Sequence, residues 1–95
     1  MRIRPASDVI ASLGSDGRLG LVVLHSGRRV VVDTLSAAMW MALRQQGGDV
    51  DLAAEALATY WNCDHDQLRD DLTEFVDRLY DARLVVRVPE DEPRT

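Results

Sequence analysis

Val30-Val31-Val32-Asp33-Thr34-Leu35-Ser36-Ala37-Ala38-Met39-Trp40-Met41-Ala42-Leu43 carries the change of periodicity on which the fold turns. Its first part is a β-branched run, which suits a pleated, half-buried surface. Asp33 or Thr34 then offers a side-chain oxygen to an orphan backbone N–H and starts a helix. Beyond that cap, Leu35, Ala38, Met39, Ala42 and Leu43 fall on one helical stripe. Strand and helix therefore meet with no linker between them.

Toward the N-terminus, Ser26-Gly27-Arg28 is a short turn, so Arg29–Val32 folds back on Leu19–His25 as a hairpin. Leu19–His25 is apolar and β-branched, and reads as a strand buried on much of both faces. Gly14-Ser15-Asp16-Gly17 is a second turn signal, and Asp8–Leu13 before it supplies another strand through Val9, Ile10 and Leu13. The expectation is a three-stranded antiparallel meander.

Toward the C-terminus, Gly47-Gly48 stops the first helix. A second helix runs from about Asp51 to Tyr60, capped by Asp49 or Asp51, with Leu52, Ala56, Leu57 and Tyr60 facing inward. Asn62-Cys63-Asp64 breaks it. The third helix spans His65 to Asp81, with Asp64 as cap and Gln67 completing a capping-box pattern. Leu68, Leu72, Phe75, Val76 and Leu79 form its apolar stripe. Leu84–Val88 adds a short strand or packs back on the core. Pro89–Thr95 is charged and holds two prolines, which predicts a disordered tail after a single domain over residues 1–88. The fold class expected is α+β, winged-helix-like, a three-stranded antiparallel sheet followed by three helices.

Several function classes fall away on composition. The net charge is −5, whereas nucleic-acid binding and attachment to anionic membranes both call for cationic surface. No apolar run approaches the ~20 residues that span a bilayer. No secretory core follows Met1-Arg2-Ile3-Arg4-Pro5, and the single cysteine, Cys63, suits a reducing cytosol, so the chain reads as cytoplasmic. Cys63 and His65 lack converging co-ligands, since His25 lies on a distant strand; no metal or other cofactor is expected. Nothing sets a nucleophile on a strained turn beside a base, and Gly14–Gly17 lacks the ending of a phosphate loop. The chain reads as a binding protein and not as an enzyme.

Binding features have two readings each. Trp40 belongs to the core, beside Met39 and Leu43, while Trp61 either covers the core edge next to Tyr60 or serves a ligand. Asp71 and Arg78 flank Phe75 on one edge of the third helix, which is either a solvated face or a groove wall. The third strand of the meander is an open edge, and such an edge either is guarded by charge or binds an extended chain. Arg28 and Arg29 would do the first as cations, or would attract an acidic peptide.

The order of elements, the stretch from Val30 to Leu43 with Asp33 at the cap and Ser36-Ala37-Ala38 after it, and the closing Leu68–Leu84 resemble the PqqD-like family. These are recognition elements for ribosomally made, post-translationally modified peptides, and a short chain of this kind is similar to the leader-binding proteins of lasso-peptide clusters. The resemblance implies a winged-helix variant in which a leader peptide adds as an antiparallel strand to the third strand. The peptide would lie between that strand and the third helix, touching Arg28, Arg29, Val30, Val31 and Val32 on one side. On the other it would touch Leu68, Asp71, Leu72, Phe75 and Arg78. It implies as partners a leader-cutting cysteine protease and an ATP-dependent cyclase. The main rival is a winged-helix DNA-binding regulator. Its recognition helix would have to approach phosphates carrying Asp64, Asp66, Asp70, Asp71, Glu74, Asp77 and Asp81 against Arg69, Arg78 and Arg83, which is electrostatically poor. A structural subunit of a larger enzyme is the second rival.

Overall fold

A computed structural model describes residues 2–88; the tail expected at 89–95 lies outside the described residues. Five strands and three helices follow in the order β1 (Arg2–Pro5), β2 (Val9–Leu13), β3 (Leu19–Val23), β4 (Arg28–Val32), α1 (Thr34–Gln45), α2 (Val50–Trp61), α3 (His65–Asp81) and β5 (Val85–Val88).

The expected meander is present, with strand order β2-β3-β4 and both neighbours antiparallel. Its register puts Leu19 opposite Val32 and Leu21 opposite Val30, so one face collects the apolar side chains. On β3 that face, Leu19, Leu21 and Val23, is buried. On β4 the half-buried Val30 and Val32 pack against the same core, while Val31 and Arg29 point to the opposite, solvent-facing side.

A second sheet was not expected from the sequence. β1 and β5 form an antiparallel pair in which Arg2 faces Val88 and Pro5 faces Val85. Arg-Ile-Arg-Pro offers one apolar side chain for burial, which leaves almost no periodicity to detect. That one side chain, Ile3, is buried in the core, and Val85 joins it from β5. β1 is held on its other side as well, because the Ile3 N–H donates to the Gly48 carbonyl at 2.9 Å. Gly48 has φ +85°, and a Cβ there would stand 1.7 Å from the Ile3 carbonyl oxygen. Glycine alone fits, by both conformation and space.

Each helix starts at an aspartate. The side chain of Asp33 accepts from the Ser36 N–H at 2.8 Å, that of Asp49 from Leu52 at 3.0 Å, and that of Asp64 from Gln67 at 3.2 Å. The reciprocal half of the expected capping box is not made. The Gln67 amide turns down the helix and donates to Asp71 instead.

The core includes Ala37, Met39, Trp40, Ala42 and Leu43 of α1 and the full stripe Leu68, Leu72, Phe75, Val76 and Leu79 of α3. The inward placements of Leu35, Leu52 and Tyr60 are corrected: they are 56%, 47% and 83% exposed. For α2 the reason is angular. Its buried face is Val50, Ala53, Ala54, Leu57 and Ala58, spaced as a helical stripe with about 3.6 residues per turn. Leu52, Ala56 and Tyr60 form a different stripe. The alanines Ala53 and Ala54 are completely buried, and their small size allows close helix packing. Large side chains therefore drew the sequence reading to the wrong face.

Candidate functional site

Among the described residues no strand pairs with β4 on the side away from β3, which makes it an edge strand. At its end the chain passes through Asp33 into a cavity of about 550 Å³. α3 builds one wall with Gln67, Leu68, Asp71, Glu74, Phe75 and Arg78. The first turns of α1 supply Leu35, Ser36 and Met39, and the α2–α3 junction supplies Trp61, Cys63 and Asp64. The floor is apolar and the rim is charged, the arrangement that favours an apolar anchor held in register by polar groups.

The α3 wall follows from its sequence. The buried face takes Leu68 and Phe75 into the core with only their edges left at the cavity, while Asp71, Glu74 and Arg78 stand exposed beside them. Arg78 donates to Glu74 one turn earlier at 2.7 Å, and Gln67 donates to Asp71 at 3.1 Å. Asp33 is held below the usual aspartate range. The Ser36 backbone N–H is the main cause and the Ser36 side chain adds to it; burial opposes them, and the Arg18 charge contributes least.

Of the residues expected at a peptide groove, Leu68, Asp71, Phe75 and Arg78 come together on this cavity. Leu72 does not line it; the side chain is fully buried behind the wall, at the centre of the α3 stripe. Arg28, Arg29, Val30, Val31 and Val32 do not line the cavity either, but form the strand edge that leads up to it. Arg28 is engaged within the chain, its guanidinium donating to the Ala82 carbonyl at the C-terminal cap of α3.

Sequence reasoning missed Asp33, Leu35, Ser36, Met39, Cys63, Asp64, Gln67 and Glu74 as cavity residues. A signal existed for two of them. Asp33 and Asp64 are the caps of the two helices that converge here, so their carboxylates had to sit at the same end of the helical layer. Leu35 continues the α1 stripe, which predicts a core position, yet it stands at the end of that stripe, where the core no longer covers it.

His25 pairs with Asp8 beside the end of the sheet where β3 finishes, away from Asp33, and His65 lies 3.6 Å from Asp66. Among the described residues, no cluster of His, Cys, Asp or Glu is arranged to hold a metal ion. No helix among them is long and apolar enough to cross a membrane.

Fold and site together define a small α+β module with an open strand edge running into a half-apolar cleft. The chain belongs to the PqqD family: the family model described as coenzyme PQQ synthesis protein D matches residues 20–85. Two solved structures share the fold with a TM-score of 0.78 each. One is TbiB1 in complex with the TbiA(beta) leader peptide, 18% identical, with 92% of this chain and 99% of that chain covered. The other is a lasso peptide synthetase B1 complexed with the leader peptide, 15% identical over 92% of this chain and 100% of that one. No curated protein sequence matches.

Proposed function

We propose that this protein binds the leader of a ribosomally made precursor peptide and presents it to modifying enzymes. The leader adds as an antiparallel strand to β4 and sends apolar side chains into the cleft under α3. The observation that carries this reading is the continuity of the two features: the edge of Arg28–Val32, unpaired among the described residues, runs directly into the cavity at Asp33. Backbone hydrogen bonds along the edge would set register, and the cavity would select side chains. Membership of the PqqD family supports it, as do the leader peptides bound in the two solved relatives of like fold.

In this reading the protein is a binding partner rather than a catalyst, occupies residues 1–88 as one functional unit, and works in the cytoplasm. A leader-cutting cysteine protease and an ATP-dependent cyclase receive the captured peptide. Arg28–Val32 act as the strand, with Leu68, Asp71, Phe75 and Arg78 as the cleft wall and Leu72 as its support. The DNA-binding alternative has little to recommend it, because Asp66, Asp70, Asp71, Glu74, Asp77 and Asp81 are all exposed along α3.

Calorimetric titration with the leader of a precursor peptide encoded beside this protein tests the reading. Val31 is exposed on an edge strand, so Val31→Ala should bind nearly as the parent does. Val31→Pro removes a backbone N–H and should abolish binding. Unchanged affinity in a folded Val31→Pro protein would overturn strand addition.

A further inference from the structure

We infer that the cleft selects charge as well as shape, taking a peptide whose bound segment begins with a lysine or arginine and continues with apolar side chains. The inference rests on the leader-binding reading and specifies the chemistry of its ligand.

The carboxylates around the cavity are not equivalent. Glu74 is neutralised by Arg78 at 2.7 Å. Asp33 accepts from the Ser36 N–H at 2.8 Å and has no salt-bridge partner among the described residues. Among the described residues, Asp64 and Asp71 accept only from neutral donors, the Gln67 backbone N–H at 3.2 Å and the Gln67 side-chain amide at 3.1 Å. Neither has a salt-bridge partner among the described residues. Carboxylates without an ion-pair partner among the described residues therefore gather at the end of the cleft where α3 begins, with the α3 dipole offsetting the charge of Asp64 in part.

The direction of the chain turns this imbalance into an order. β4 and α3 run in opposite senses: Arg28, which opens β4, bonds to Ala82 after α3, whereas Asp33, which follows β4, shares the cavity with Asp64, which precedes α3. A segment antiparallel to β4 thus runs in the same sense as α3. Its first residues lie by Asp64 and Asp71, and its last pass the neutralised Glu74–Arg78 pair and Arg28. The lengths agree. From Gln67 to Arg78 the helix rises roughly 16 Å at about 1.5 Å per residue, which is about five strand residues of ~3.3 Å, and β4 has five. A cation at the start would meet Asp71 while its methylene stem lies on the apolar lining near Trp61. An acidic residue there would meet carboxylates that no ion-pair partner among the described residues neutralises.

Random peptides displayed on phage, panned on the full chain at low ionic strength, provide the probe, with the Val31→Pro protein as counter-selection. Edge-dependent peptides should carry lysine or arginine ahead of an apolar run. Asp71→Lys should weaken the best of them roughly tenfold, the scale of one charge-assisted contact, and lysine-to-glutamate exchange in that peptide should restore binding to Asp71→Lys. Thermal melts verify folding, and Asp71→Asn replaces the reversal if Asp71→Lys does not fold. Edge-dependent peptides without a cation preference, or undiminished by the Asp71 change, would overturn the charge inference and leave leader binding standing. Failure to recover any edge-dependent peptide would overturn both.

Discussion

Arg28 and Ala82 are joined by a hydrogen bond from guanidinium to main-chain carbonyl, which ties the first residue of β4 to the cap of α3. The bond closes one end of the space between strand and helix and places a cation at the negative end of the α3 dipole. Arg28→Ala should lower stability by about 0.3–1 kcal/mol, the usual size of such an exposed end effect, and Arg28→Lys should recover part of it. Urea unfolding of the three proteins measures this. A destabilisation of Arg28→Ala that persists unchanged in concentrated salt would argue against an electrostatic origin.

Phe75 and Asp71 border the same cavity with opposite burial, so truncating them separates packing from recognition. Phe75→Ala should cost about 3–5 kcal/mol of stability through the cavity it leaves, and should weaken leader binding too. Asp71→Ala should change stability by no more than about 0.5 kcal/mol, since it loses one exposed i,i+4 contact with Gln67. Its leader affinity should nevertheless fall by about 1–3 kcal/mol if a charged contact is lost. Melting curves and calorimetry on the two variants read both quantities.

Two adjacent glycines with positive φ should respond differently to the same change. At Gly47 an added Cβ meets nothing within 4 Å. Gly47→Ala should therefore cost only the left-handed penalty of about 1–2 kcal/mol. At Gly48 the added atom collides with the Ile3 backbone, so β1 must leave its place. Gly48→Ala should cost more than Gly47→Ala, and hydrogen exchange should show loss of protection at Ile3. Equal unfolding midpoints for the two variants would contradict this packing.

Asp33 gives an acid dependence of known sign. Its carboxyl titrates below the ordinary 3.8 in the folded chain, chiefly because it accepts from the Ser36 N–H. The charged form thus favours folding above the unfolded value, and that contribution fades as pH falls through the lower folded value. Asp33→Asn keeps a capping oxygen and loses the charge. The parent's advantage over this variant should be constant above about pH 5 and should shrink as acid is added below 3.8. Chemical unfolding at a series of pH values measures the difference.

The meander, the three helices and the α3 stripe were legible because each has a strong local signal: glycine turns, aspartate caps and a continuous apolar period. β1 was hidden because its only message is Ile3, and a single residue has no period. Leu52 and Tyr60 misled because size outweighed angle, with the true α2 interface built largely from alanines. The α3 side of the cleft could be read from one helix, as Asp71, Phe75 and Arg78 share an edge. The opposite side, beyond the open alternative for Trp61, could not, because Leu35 and Met39 reach the cavity only when α1, α2 and α3 are packed. Likewise, nothing local in Arg28 announces that its partner is the Ala82 carbonyl.

The pairing of Arg2 with Val88 joins the first and last described elements of the chain. Closing so long a loop carries a large entropic penalty before any contact rewards it. The β1–β5 ladder should therefore zip late, after the helices have set Gly48 and Val85 in place to receive Ile3. Folding speed would then be insensitive to Ile3, and unfolding speed sensitive to it, as for residues whose contacts form after the rate-limiting barrier. Ile3→Val would act as a latch mutation, loosening the protein by shortening its folded lifetime while leaving the time needed to fold unchanged.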